Sequence, residues 1–322
     1  MLALVTGASG HVGGALCRAL LADGHQVVGL YNSDKGPLEG LALTAVAADI
    51  EDNAAIERAC EGADVVFHAA ARVTLSSKED PRAARTNIEG TRNVIAAVRA
   101  KGVGRLVHFS TIHAIDSQGE LLPEGRGFAY ERSKVDAERL VMRAVADGLD
   151  AVVVSPCAVI GPFDAKPSHM GKVFLMQERG LLLSAAEGGQ SWVDVRDVAA
   201  AAVSASVKGA RGARYVVSGT WMTMKDIATL AARIGGSRAP LFTVSRSMLA
   251  QVAPFAERVA EALRRPPLLT RASVDALEPG PRPMSCAAER ELGHKPRPIR
   301  ETLTDMLQWF RERGMSPRRP FS

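Results

Sequence analysis

A chain of 322 residues with 47% hydrophobic and 23% charged residues can bury a sizeable core, as one large domain or two. Its net charge of +5 comes with only 5% aromatics and no interleaving of basic with aromatic residues, which argues against a nucleic-acid-binding surface. The four cysteines (Cys17, Cys60, Cys157, Cys286) are scattered without a C-x-x-C pair, so no metal centre or disulfide framework is expected, and a reducing compartment fits.

The opening MLALVTGASG has no basic flank and runs straight into glycines, so it reads as a first strand rather than a leader. The longest apolar run, VAAAAVSASV, is ten residues, too short to span a membrane. A cytoplasmic protein with neither membrane nor nucleic-acid partners is the expectation. Arginines gather after residue 264 (LRRPP, PRP, KPRPIR, SPRRP) and read as a solvated face, with contact to an anionic substrate left open.

Along the first 160 residues, short apolar runs alternate with helical patterns. Strands are expected at 2–6, 26–31, 44–49, 64–70, 105–111 and 151–156, and their unbroken apolar character suits strands buried on both faces. Helices are expected at 11–23, 86–100 and 130–147, where apolar residues recur every three to four positions. This is the pattern of an α/β fold with a doubly wound parallel sheet. After Gly161-Pro162 come a loop (161–171), a helix near 170–179, a strand at 191–195, a helix at 196–207 and a strand at 214–219. The expected division is a dinucleotide-binding domain over 1–165, with 190–219 returning to it. A smaller, mostly helical substrate-binding region covers 166–189 and 220–322.

VTGASGHVGGAL sets Gly7, Gly10 and Gly13 after a strand and at a helix start, the context in which a tight turn brings a pyrophosphate onto helix N–H groups. The second strand ends LYNSDK. Neither Tyr31 nor Asn32 supplies the acid that holds an NAD ribose, and Asn32, Ser33 and Lys35 suit a 2′-phosphate despite Asp34 among them. NADP(H) is therefore favoured, with NAD(H) as the alternative. Asp49, closing the third strand, either bonds the adenine amino group or caps the following helix.

Two Tyr residues have a Lys four positions on. Tyr31 and Lys35 leave a strand for a loop, where that spacing does not align side chains. Tyr130 and Lys134 begin a good helix and share a face. A Tyr hydroxyl titrates near 10, and a neighbouring ammonium is expected to lower it into a useful range for acid–base chemistry. Ser110 and Thr111 end the fifth strand, where open α/β sheets bind ligands.

The segments TGASGHVG, VFHAAA, TNIEGTRNVI, FSTIHA, YERSK, SPCAVIGP and WVDVRDVA occur in an order that resembles the extended short-chain dehydrogenases/reductases. Within them the chain looks like the NAD(P)-dependent epimerase/dehydratase group, nearest its dihydroflavonol-reductase-like branch. The resemblance implies a Rossmann fold and an oxidoreductase with Tyr130 as general acid/base, Lys134 as its partner and Thr111, or else Ser110, as the catalytic hydroxyl. Asn87 matches a family Asn near the active site, or is a packing amide. The resemblance places cofactor contacts at Gly7, Ser9, Gly10, His11, Val12, Gly13, Asp49, Ile50, Ala69, Ala70, Ala71, Lys134, Pro156 and Val159. It places substrate contacts at His113, Lys166, Ser168 and Met170. The partner implied is a small carbonyl or alcohol substrate, with homodimerisation through the helices at 86–100 and 130–147. A nucleotide-sugar epimerase or dehydratase holding NAD tightly is the alternative, and a cofactor-sensing regulator without activity is the third reading.

Overall fold

Seven of the apolar runs form one parallel sheet in the computed structural model, which describes residues 1–74, 80–263, 267–280 and 286–316. Arg264, Arg265, Arg282, Arg318 and Arg319 of the arginine-rich stretches lie outside those residues. The strands are β1 (Leu2–Thr6), β2 (Gln26–Tyr31), β3 (Thr44–Ala47), β4 (Val65–His68), β5 (Arg105–Phe109), β6 (Ala151–Pro156) and, much later, β10 (Arg214–Val217). Their order across the sheet is β3-β2-β1-β4-β5-β6-β10, so the winding reverses between β1 and β4.

Successive strand residues feed opposite cores, as a pleat requires. Ala3, Val5, Phe67, Val107 and Val154 pack against α1 (His11–Ala22) and α7 (Val195–Lys208). Leu4, Val66, Leu106 and Val153 belong to the other core, with α2 (Asn53–Ala59), α4 (Gly90–Ala100) and α5 (Ala129–Ala146). Burial on both faces explains why these strands read as continuous rather than alternating apolar runs.

The expected strand ends at 49, 70 and 111 are too long. Ala69–Ala71 and Ser110–Thr111 lie beyond β4 and β5, in chain that has left the sheet for the ligand edge. The helix expected at 86–100 is preceded by a four-residue helix, α3 (Pro81–Ala84), and opens with a widened π turn over Arg85–Glu89 that carries Asn87. Asp52, not Asp49, caps α2 by accepting from the Ala55 N–H at 3.0 Å.

A smaller region sits beyond the β6 end. Strand β7 (Ala158–Ile160), β9 (Gly189–Asp194) and β11 (Thr220–Thr223) form a three-stranded sheet, and β8 (Ser184–Ala186) pairs with β12 (Phe242–Val244). The segment 190–219 therefore divides: α7 and β10 join the large sheet, while β9 pairs with β7 and β11. Trp192 of β9 accounts for this, since it is fully buried edge-on to Phe174, 6.2 Å between ring centres, in a third core. That core is enclosed by α6 (His169–Glu178), α8 (Met224–Gly235) and α12 (Ile299–Glu312). The remaining helices are α9 (Arg246–Ala262), α10 (Arg271–Asp275) and α11 (Ala287–Leu292).

One buried ion pair ties the three enclosing helices. Arg311 Nε donates to Glu178 Oε2 at 2.9 Å, and Arg311 Nη2 donates to the Gly235 carbonyl at 2.7 Å. Gly235 has to be glycine for this, because a Cβ there would sit 1.8 Å from Glu178 Oε1. Removing one partner of a buried pair strands the other charge, at a cost of about 3–5 kcal/mol. Arg311→Met should therefore lower the urea midpoint markedly, while Arg311→Met with Glu178→Leu should recover most of the loss, as chemical denaturation of the two variants will show.

Candidate active site

The turn after β1 is built around backbone contact. Gly7 has φ +68°, and a Cβ there would lie 2.7 Å from the Ala70 backbone. A Cβ on Gly13 would lie 2.2 Å from the Gly7 carbonyl, and one on Gly10 3.2 Å from the same oxygen. The Ala70 N–H is fixed by Thr6 Oγ1 at 3.2 Å. No side chain caps α1 and no acid occupies its first turn, so its N-terminal N–H groups face outward past Ser9 and Gly10. This glycine cradle at the sheet's reversal point, with an uncapped helix start, fits a dinucleotide pyrophosphate.

At the far end of that groove, Asn32, Ser33, Asp34 and Lys35 are exposed after β2. Asn32 Nδ2 donates to Asp49 Oδ2 at 3.3 Å, and Asp49 Oδ1 accepts from the Glu51 N–H. Ile50, expected as a cofactor contact, has its side chain in the core and packs against Gly90. Lys166, expected at the substrate, instead bonds Asp34 at 3.1 Å across the groove mouth and does not line the cavity described below. The Gly36 N–H and Lys166 hold the Asp34 carboxyl below its ordinary range. Tyr31 packs its ring on the core while Lys35 lies in the loop, so that pair does not share a face.

The loop carrying Lys166 is clasped onto this edge twice more. His11 Nε2 donates to the Pro162 carbonyl at 2.9 Å, and the Arg18 guanidinium lies 4.5 Å from the centre of the Phe163 ring. Phe163 takes a left-handed backbone, φ +74°.

From the β1–β4 edge a cavity of about 560 Å³ runs into the smaller region. His11, Val12, Ala69, Ala71, Pro156 and Val159 line its cofactor end. Ser110, Thr111, His113, Tyr130 and Lys134 meet in the middle. Thr111 hydrogen-bonds Tyr130 and accepts from the His113 N–H at 3.3 Å. The Ser110 hydroxyl, buried beside it, has no partner among the described residues. Lys134 Nζ donates to the Phe109 carbonyl at 2.5 Å.

The electrostatics correct one sequence expectation. Burial pushes the Tyr130 phenol up to about 12, tempered by the Thr111 hydrogen bond and raised further by Glu131. Lys134 does not lower it. Its own pKa is brought down to about 8 by burial, against the pull of Glu138 one turn along.

Asn87 does not reach the cavity. Its Nδ2 donates to Ser133 Oγ at 2.8 Å and to the Arg72 carbonyl, and its Oδ1 accepts from the Arg72 N–H. Ser133 in turn donates to the Tyr130 carbonyl at 2.7 Å. Asn87 is thus a packing amide that fixes the loop after β4 against the start of α5.

Met170 lines the substrate end, and so does Ser168, whose hydroxyl is already engaged. It donates to Asp164 and caps α6 by accepting from the Gly171 N–H. Sequence reading passed over His169 between them, whose pKa falls to about 4 through burial and Lys172. It also missed Leu182, Met224, Val244, Leu249, Leu268 and Leu277, drawn from four separate segments. Three consecutive leucines at 181–183 gave no alternation to mark Leu182, which the structure turns inward between exposed Leu181 and Leu183.

Residues 3–218 match the model of the NAD dependent epimerase/dehydratase family. The chain is 34% identical to sterol demethylase protein B of Methylococcus capsulatus, over 98% of this chain and all of that one. It is 31% identical to a Synechocystis protein that bears a dihydroflavonol 4-reductase name, over 96% and 94%. The crystal structure of gox2253 superposes with a TM-score of 0.82 at 30% identity, over 98% of this chain and 99% of that one. The glycine cradle, the Tyr130–Lys134 helix and these matches agree: the chain belongs to the NAD-dependent epimerase/dehydratase family of extended short-chain dehydrogenases/reductases.

Proposed function

We propose that this protein is an oxidoreductase that interconverts a ketone or aldehyde and the corresponding alcohol on an apolar substrate. The observation that carries this reading is the Tyr130–Thr111 pair set midway along a cavity whose far end is lined mainly by Leu, Met and Val. Bound NAD(P)H supplies the hydride. The phenol of Tyr130 is protonated at neutral pH and gives its proton to the substrate oxygen. Thr111 orients the phenol, and the open hydroxyl of Ser110 offers a second hydrogen bond to the same oxygen. Cationic Lys134, anchored on the Phe109 carbonyl, favours the phenolate left behind once the proton has gone.

The epimerase or dehydratase alternative needs a site for a nucleotide diphosphate. Among the described residues that line the cavity, Lys134 is the sole Lys or Arg, and it is engaged at Phe109. The relative named for sterol demethylation, similar over its full length, points the same way, toward a hydrophobic substrate. The cofactor we infer is NADP(H). Asp34, the acid among residues 32–35, is paired with Lys166, and Lys35 stands beside it, so a 2′-phosphate meets cations there.

The protein purified without added nucleotide should release no stoichiometric NAD on denaturation and should bind NADPH more tightly than NADH by fluorescence titration. Stoichiometric NAD would overturn the reading in favour of an epimerase or dehydratase. In the same titration, Lys166→Ala should weaken NADPH by roughly fivefold, as expected of one exposed charge contact, and leave NADH unchanged.

Tyr130→Phe should cut turnover about 100- to 10,000-fold with little change in cofactor affinity. A biological activity untouched by that substitution would support a cofactor-sensing regulator.

Carbonyl reduction should fall as pH rises through about 8. Below that value Lys134 keeps its proton and supports the phenolate; above it the proton is lost and the support with it. Lys134→Arg, cationic throughout, should flatten that limb in a kcat-against-pH profile.

A further inference from the structure

Nine of the twelve large hydrophobic side chains exposed among the described residues lie in just three segments, 181–183, 241–242 and 248–263. Patches of this kind on a monomer mark contact surfaces. The principal one is a stripe on α9. Met248, Val252, Phe255 and Val259 recur at steps of four, three and four, and Leu263 continues the line just past the helix end. Such spacing sets them on one helix face. Phe255 is 69% exposed and Leu263 63%, so nothing among the described residues covers them.

A second apolar face lies roughly a quarter-turn around the same helix. Leu249 lines the cavity and Ala253 is fully buried. The apolar arc of α9 is thus about twice as wide as its packing requires. The paired strands repeat the arrangement. Leu182 and Val244 face the cavity, while Leu181, Leu183, Leu241 and Phe242 face out, and the Leu241 N–H donates to the Leu183 carbonyl at 2.9 Å. Each outward group therefore sits on an element that walls the cavity on its other side.

The segment that carries this stripe is basic in sequence. Between residues 238 and 271 the sequence holds six Arg and two Glu, which accounts for four of the chain's five net positive charges. On α9 itself the exposed Arg258 lies about a quarter-turn from the stripe, on the side away from Leu249, while Arg246, Glu257 and Glu261 lie around the back of the helix. An apolar helix face carried by a basic segment suits a helix that lies in a membrane interface, with guanidinium groups reaching the headgroups and rings entering the acyl boundary. No described helix is long and apolar enough to cross a membrane, so the contact is with the surface alone.

We propose that α9, with the exposed edges at 181–183 and 241–242, docks the protein on an anionic lipid bilayer and sets the apolar cavity against it. An apolar substrate partitions into the bilayer rather than water, so this places the cavity at the phase that holds it. The surface argument stands on exposed residues and charge, independently of the reaction proposed above.

The test is co-sedimentation of the full chain with vesicles of phosphatidylcholine plus phosphatidylglycerol, and with phosphatidylcholine alone. Binding to the anionic vesicles should exceed binding to the neutral ones by about tenfold and fall as salt is raised. Phe255→Glu combined with Val259→Glu should reduce that binding at least about tenfold, by placing charge at the acyl boundary, and leave NADPH affinity and the thermal midpoint unchanged. Two results overturn the proposal. One is wild-type protein that stays in the supernatant with anionic vesicles. The other is a double variant that sediments as well as the parent. A wild-type dimer, seen by light scattering, that the double variant splits while neither binds lipid would instead assign the stripe to a second copy of this chain. Because the readout is sedimentation, these outcomes leave the redox reading untouched, and failure of the redox reading would leave them standing.

Discussion

Everything at the catalytic edge depends on how closely two loops approach one another. The turn after β1 and the chain leaving β4 come so near that a single Cβ on Gly7 would collide with the Ala70 backbone, and one on Gly13 with the Gly7 carbonyl. That contact occurs where the sheet reverses its winding, between β1 and β4. It opens a groove in front of the α1 N-terminus and aims Ala69 and Ala71 into the cavity. Neighbouring groups serve to hold it. Thr6 binds both the Ala70 N–H and His68, and Thr91 takes the other His68 nitrogen. The fully buried His68, its pKa lowered to about 3 by burial, is therefore a neutral strut beneath the site.

The proposed acid–base pair shows what burial does to a simple argument about neighbours. Four residues on a helix bring Tyr130 and Lys134 to one face, and in water an ammonium there would lower the phenol. In the folded protein both groups are desolvated, and desolvation opposes each charged form. The phenol rises and the lysine falls, which leaves a proton on Tyr130 and a cation weakly held at Lys134. Such an arrangement is set for proton donation, and the lysine's contribution is largest once the phenolate has formed.

Much of the fold was legible in the sequence because its signals are local. Strands buried on both faces must be apolar throughout, a glycine turn between strand and helix has few alternatives, and a helix start at Tyr130 fixes the Tyr–Lys face. What escaped depended on distant partners. Nothing near Lys166 indicates that it will bridge to Asp34, since 131 residues intervene, and only the clasp of the 161–168 loop on α1 brings them together. Asn87 matched a catalytic motif, yet its amide is saturated by the Arg72 backbone and Ser133, contacts that depend on α4 and α5 packing. The strand at 191–195 had the right composition for the main sheet, but Trp192 needs the third core more than the sheet needs another edge.

The substrate end was least legible, for a physical reason that also bears on its chemistry. Its wall is assembled from short stretches of α6, β8, β12, α9 and the chain around α10, which lie far apart in the sequence. Walls of that sort specify little beyond polarity, and here Leu, Met and Val predominate, with Ser168, His169, Ser184, Gln190 and Ser273 among them. The apolar character of this wall is not confined to its inner face. On Leu181–Leu183 and on α9 the outward neighbours of the lining residues are themselves hydrophobic and exposed. The composition that makes the cavity apolar thus extends through the wall to the surface, and a substrate held by one face is chemically matched to whatever medium the other face meets.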